Sequence, residues 1–240
     1  MSQHISRKEL KHDEFQEKLA HGAQYALSHT RMMWIGALVL LAVAVLVGGW
    51  WFYSDRQSER AGVAFEDARK TFDARIRTAT EPDEPGEISY LEEKNKYLDA
   101  QKKFRDVASK YSMTQQGQLA RYYAAVSTAR IGQTDQALKE LKDVESGSNA
   151  EVASMARLEQ AQINAQSGKL DESARLLKLL IDKPTDLVPK PLAQMLLADQ
   201  YRKSSPTEAV KLYQQVKKDH PDTVLAEEAD KRLTDLGPQS

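Results

Sequence analysis

Cysteine is absent from the 240 residues of the chain, which excludes disulfides, thiolate nucleophiles, zinc fingers and iron–sulfur ligation together. A surplus of either charge is missing as well. The 34 Lys and Arg stand against 35 Asp and Glu, interspersed along the chain, so neither a basic nucleic-acid face nor an acidic tail is indicated. Catalytic signatures are equally scarce: there is no nucleophile elbow, no P-loop, no Gly-rich dinucleotide turn and no carboxylate–His metal spacing. Four of the five His (His4, His12, His21 and His29) lie at intervals of eight, nine and eight, which drift around a helix instead of converging on a metal. The fifth, His220, stands in a loop beside Pro221 with no motif around it. Adjacent acids such as Glu92 and Glu93 or Glu227 and Glu228 point about 100° apart on a helix. The expectation is a non-enzymatic protein with no cofactor, no metal and no nucleic-acid partner.

Long apolar runs are also rare, and the single one is informative. Met32 to Phe52 carries no charge over 21 residues, and a helix of that length covers roughly the 30 Å hydrocarbon core of a bilayer. The run ends in "LVGGWWFYSDR". The small residues suggest signal-peptide cleavage, but bulky aromatics stand where a cleavage site requires small side chains. Trp34, Trp50, Trp51 and Tyr53 instead suit the two headgroup boundaries. The reading is a retained transmembrane helix over 32–53. Charge leaves its orientation open, because Arg7, Lys8, Lys11, Lys18 and Arg31 on one side are nearly balanced by Arg56, Arg60, Arg69 and Lys70 on the other. Residues 1–31 read as an amphipathic segment, with Ser6 and Glu9 as a capping box and Phe15, Leu19, Ala23 and Ala26 on one side. After Gly49 no proline intervenes for thirty residues. The spanning helix is therefore expected to continue into the first water-soluble helix and to hold the following domain near the bilayer.

The remainder repeats. "ARYYAAVSTARIGQTDQALKELKDV" (Ala120 to Val144) and "ARLEQAQINAQSGKLDESARLLKLL" (Ala156 to Leu180) are offset by 36 residues, aligning Gly132 with Gly168, Ala125 with Ala161, Tyr122 with Leu158 and Leu141 with Leu177. Each copy reads as helix, Gly turn, helix. A third copy carries Ala198, Tyr201, Ala209, Tyr213 and Pro221, and a degenerate first one carries Ala100, Phe104, Val107 and Tyr111. "TATEPDEPGEIS" (Thr78 to Ser89) reads as an acidic loop within that first copy.

These residues resemble the tetratricopeptide repeat, with a small residue in the first helix, Gly at the turn, Ala opening the second helix, a large apolar residue four later and Pro at the end, of which only Pro221 is present. Ser173 departs from the usual Ala. The fold expected is all-α: one N-terminal transmembrane helix followed by a solenoid of three to four helix pairs, each pair covering an apolar stripe its neighbour cannot bury alone. The resemblance implies a binding groove lined by the first helix of each pair. Here that brings forward Tyr122, Val126, Arg130, Gln162, Asp199 and Arg202.

The whole layout is similar to the bacterial YfgM-like proteins, ancillary subunits of the Sec translocon. That resemblance implies a cytoplasmic tail (1–31), an inner-membrane span (32–53), a periplasmic repeat domain (54–236) and a short C-terminal tail (237–240). It also implies chaperone-like partners: translocon subunits, a membrane-anchored prolyl isomerase and unfolded envelope proteins. A scaffold for another envelope machine, in cell division or outer-membrane assembly, fits the same residues.

Overall fold

The computed structural model describes residues 30–82 and 85–237. Most of the amphipathic segment expected over 1–31 and of the tail expected over 237–240 therefore lies outside the described residues. The chain divides into two units, Met1–Arg56 and Gln57–Ser240.

Helix α1 runs unbroken from Thr30 to Phe72 over 43 residues, so the helix expected over 32–53 does continue past Tyr53. Within the first unit, every side chain from Trp34 to Arg56 is exposed. Trp34, Trp50, Trp51 and Tyr53 are 60 to 76% accessible. An apolar helix with no protein to cover it has the length and composition to cross a membrane. The Arg56 guanidinium sits 4.6 Å from the centre of the Phe52 ring.

The second unit is a stack of helix pairs. The first pair joins the end of α1 to α2 (Glu93–Lys110). The second is α3 (Gln115–Arg130) with α4 (Thr134–Glu145). The third is α5 (Ala150–Gln166) with α6 (Leu170–Asp182), and the fourth is α7 (Lys190–Ser204) with α8 (Pro206–Asp219). A single helix, α9 (Val224–Leu236), follows and packs on both α8 and α7. Each helix packs chiefly on its neighbours in sequence, and the first helices α3 and α5 also touch each other.

Small residues permit this approach. Ala125, Ala161 and Ala198 in the first helices are buried, as are Ala100, Ala137, Ser173 and Ala209 in the second helices. One turn further along, Phe104, Leu141, Leu177 and Tyr213 fill the space between layers. Ser173 is 1% exposed, so the residue found where Ala is usual is buried at the same helix contact. The first layer is aromatic: Phe104 stacks on Tyr123 at 5.1 Å, and Phe65 and Phe72 approach Tyr123 edge-on at 5.7 and 5.4 Å.

Local chemistry sets the helix ends. Thr114, Asn149 and Thr223 cap α3, α5 and α9 with their side-chain oxygens. Gly132 and Gly168 adopt φ of 87° and 75° at the turns inside the second and third pairs, a region that disfavours any residue with a Cβ. The fourth pair turns differently, with Pro206 opening α8 at a position where no N–H is needed.

The loop expected over Thr78–Ser89 is flanked by a structure the sequence reading missed. Strands β1 (Arg75–Ile76) and β2 (Ser89–Tyr90) pair in parallel, with Arg75 opposite Ser89 and Ile76 opposite Tyr90. Arg75 meets Glu87 at 3.5 Å across the neck, and Glu81 accepts from the Thr78 amide at 2.9 Å. Two-residue strands are too short to carry an alternating pattern.

Candidate protein-binding face

The residues expected to line a groove fall into two groups. Tyr122, Val126 and Arg130 lie on α3 and Gln162 on α5, while Asp199 and Arg202 lie on α7.

On the first group, helix contact brings charges together. Tyr122 is half-buried and meets the Tyr123 ring edge-on at 5.2 Å. Burial pushes its phenol well above the usual value, Glu159 of α5 adds to the rise, and Arg130 opposes it. Burial likewise raises the Glu159 carboxyl, again against Arg130. Among the described residues, none of the Tyr122 hydroxyl, the Glu159 carboxylate and the Arg130 guanidinium has a hydrogen-bond or ion-pair partner. Gln162 is exposed on α5, three residues after Glu159 and so on the same helix face. Val126 is 4% exposed and serves packing.

Glu159 escaped the sequence reading. Its signal was the three-residue spacing from Gln162, but the repeat aligns it with Tyr123, a core residue, so its face was legible only once α5 was seated on α3.

Asp199 and Arg202 are engaged within the fold. The Tyr213 hydroxyl donates to Asp199 at 2.6 Å, and Arg232 of α9 lies 3.6 Å from the same carboxylate. Arg202 pairs with Asp235 of α9 at 3.9 Å. Helix α9 was also unread, although Leu225, Ala229, Leu233 and Leu236 carry its period. Its apolar side covers the last pair, where a further repeat would otherwise sit.

The repeat and its packing define a class. A model of the tetratricopeptide repeat-like domain family matches residues 27–186. The chain belongs to this family, whose domains are protein–protein interaction modules and are typically non-enzymatic scaffolds. Among solved structures, the nearly identical TPR-like repeats of a protein assigned as a kinesin light chain from Podosopora anserina are similar in fold. The TM-score is 0.53 at 16% identity, over 75% of this chain and 86% of that one. No curated protein matches the chain.

Proposed function

We propose that this chain is a membrane-anchored, non-enzymatic binding module that holds extended segments of other proteins on the α3–α5 face. The carrying observation is the set Tyr122, Arg130 and Glu159: three polar groups, two of them half-buried, near enough to influence one another but without a hydrogen-bond or ion-pair partner among the described residues. The desolvation of Tyr122 and Glu159 is already partly met by the fold. A peptide offering amide N–H and C=O groups gains hydrogen bonds there at little further cost. The apolar stretch of α1 supports attachment to a bilayer.

The finer reading places the module at the bacterial inner membrane beside the Sec translocon, with residues 1–31 cytoplasmic and the repeats in the periplasm. There it assists emerging envelope proteins together with a membrane-anchored prolyl isomerase. The layout of tail, span and repeats supports it. Photo-crosslinkers at Tyr122, Arg130 and Gln162 in intact cells are expected to trap translocon subunits or nascent envelope proteins. Adducts confined to division or outer-membrane assembly proteins would move the module to another machine, and no adducts from any position would sink the groove itself.

A further inference from the structure

The second helices α2 and α4 are bridged over α3 by the Arg105–Glu140 ion pair at 2.8 Å, and the wedge between them is an open cleft of 350 Å³. The repeat indicates what belongs in such a wedge. Arg121 on α3 is equivalent to Arg157 on α5, and Ala124 to Gln160, at the same 36-residue offset. Along the second helices, Phe104 and Val107 stand in register with Leu141 and Val144, which makes Ala108 equivalent to Glu145.

At the downstream junction the chain fills the wedge itself. Arg157 donates to Glu145 Oε1 from Nε at 2.9 Å and lies 2.8 Å away at Nη2, while Gln160 donates to Oε2 at 2.8 Å. The Arg157 and Glu145 side chains are 20 and 23% accessible. One repeat upstream the arginine is kept, but the acid and the amide are both alanine. Ala108, Arg121 and Ala124 all line the open cleft, and Arg121 has no hydrogen-bond or ion-pair partner among the described residues.

The other charges of the cleft are largely spoken for. Glu140 is held by Arg105, by Gln136 at 2.9 Å and by the Thr128 hydroxyl at 2.7 Å. Asp143 remains on the α4 wall and is exposed, where salt screens its charge.

We propose that this cleft is a second docking site, distinct from the α3–α5 face, which takes an acidic side chain of a partner polypeptide. The partner's carboxylate seats on Arg121 as Glu145 seats on Arg157. Charge complementarity and the matching internal example both favour a carboxylate, since a guanidinium recognises it through two N–H groups at once.

The test uses the full chain in detergent and a fluorescent, C-terminally amidated peptide copying Thr134–Glu145, compared with the same peptide carrying Gln in place of its last Glu. The acidic peptide is expected to bind about tenfold more tightly. Arg121→Gln and Ala108→Glu should each erase that difference, the second by supplying an internal carboxylate, and Asp143→Asn should tighten the acidic peptide. Ala108 is only 9% accessible, so a carboxylate there depends on Arg121 to stay paired: independently of any peptide, Ala108→Glu should have a clearly higher Tm with Arg121 in place than with Arg121→Gln added. An acidic peptide that fails to bind, discrimination that survives Arg121→Gln, or an Ala108→Glu effect on Tm that ignores Arg121 would each overturn the site. Loss of crosslinking from the α3–α5 face would leave it standing.

Discussion

The Tyr213 hydroxyl donates to Asp199 at 2.6 Å, fastening the second helix of the last pair to its first. Tyr213 is fully buried, and Arg232 lies 3.6 Å from the same carboxylate, so one acid joins α7, α8 and α9. Tyr213→Phe keeps the ring and removes the donor. The expected loss is about 1–2 kcal/mol, read as a lower urea midpoint of the full chain in detergent. Asp199→Ala should lose more, because it also strands the buried hydroxyl and releases Arg232. Equal midpoints for parent and Tyr213→Phe would show that the bond contributes nothing.

Alkaline pH should weaken the repeat domain through three tyrosines. Tyr90 is pushed up to about 12 by burial and by its bond to Asp99. Tyr122 and Tyr213 are pushed further in the same direction, chiefly by burial. In the unfolded chain all three titrate near 10. The unfolded state therefore releases protons first, so the stability tied to these groups is intact below about pH 10 and declines as pH rises beyond it. Denaturant midpoints taken between roughly pH 9 and roughly pH 12 should fall, and less steeply in Tyr213→Phe.

Three glycines should respond to substitution in different ways. Gly132 has φ of 87° with open space around it, so Gly132→Val pays only the left-handed backbone term, about 1–2 kcal/mol, and Gly132→Asn less. Gly117 is helical, but a Cβ there would strike the Tyr111 carbonyl at the end of α2. Gly117→Ala must therefore push α3 away from α2 and should be the most damaging. Gly62 lies mid-helix with nothing nearby, and Gly62→Ala should stabilise by about 0.5–1 kcal/mol. Calorimetric melts of the three variants give the ranking directly.

Fractionation tests the first unit. If α1 spans a bilayer uncleaved, the chain remains in carbonate-washed membranes as an intact band near 27.0 kDa. A shortened band in the soluble fraction would mean cleavage after the apolar run. In spheroplasts with a tag at each end, protease should remove the C-terminal tag alone. A protected C-terminal tag would reverse the proposed orientation.

The repeat was legible because its signal is local and recurs. Ala125, Ala161 and Ala198 fall at nearly the same offset, and all three are buried where one helix crosses another. Which residues of the proposed binding face keep accessible polar groups was legible only in part. Tyr122, Arg130 and Gln162 do lie on the first helices with accessible polar groups, whereas Val126, read from the same face, is 4% exposed. A helix turns about 100° per residue, so an error of one position in a degenerate repeat exchanges an open residue for a buried one.

Sequence by itself determined the elements whose cause lies within a few turns of chain. These are an apolar run of 21 residues that needs no neighbour to be recognised, helix pairs set by amphipathic period, and turns set by Gly132 and Gly168. Only the tertiary structure decided which polar side chains are spent on the fold. Asp199 and Arg202 are taken up by Tyr213, Arg232 and Asp235 because α9 comes to rest on the last pair. Glu159 is drawn towards Tyr122 and Arg130 by the contact of α5 with α3. Arg157 meets an acid, while Arg121, its copy one repeat earlier, faces alanine and open space. Whether a charge is free depends on what the adjoining helix brings to it, and that partner stands far away in sequence.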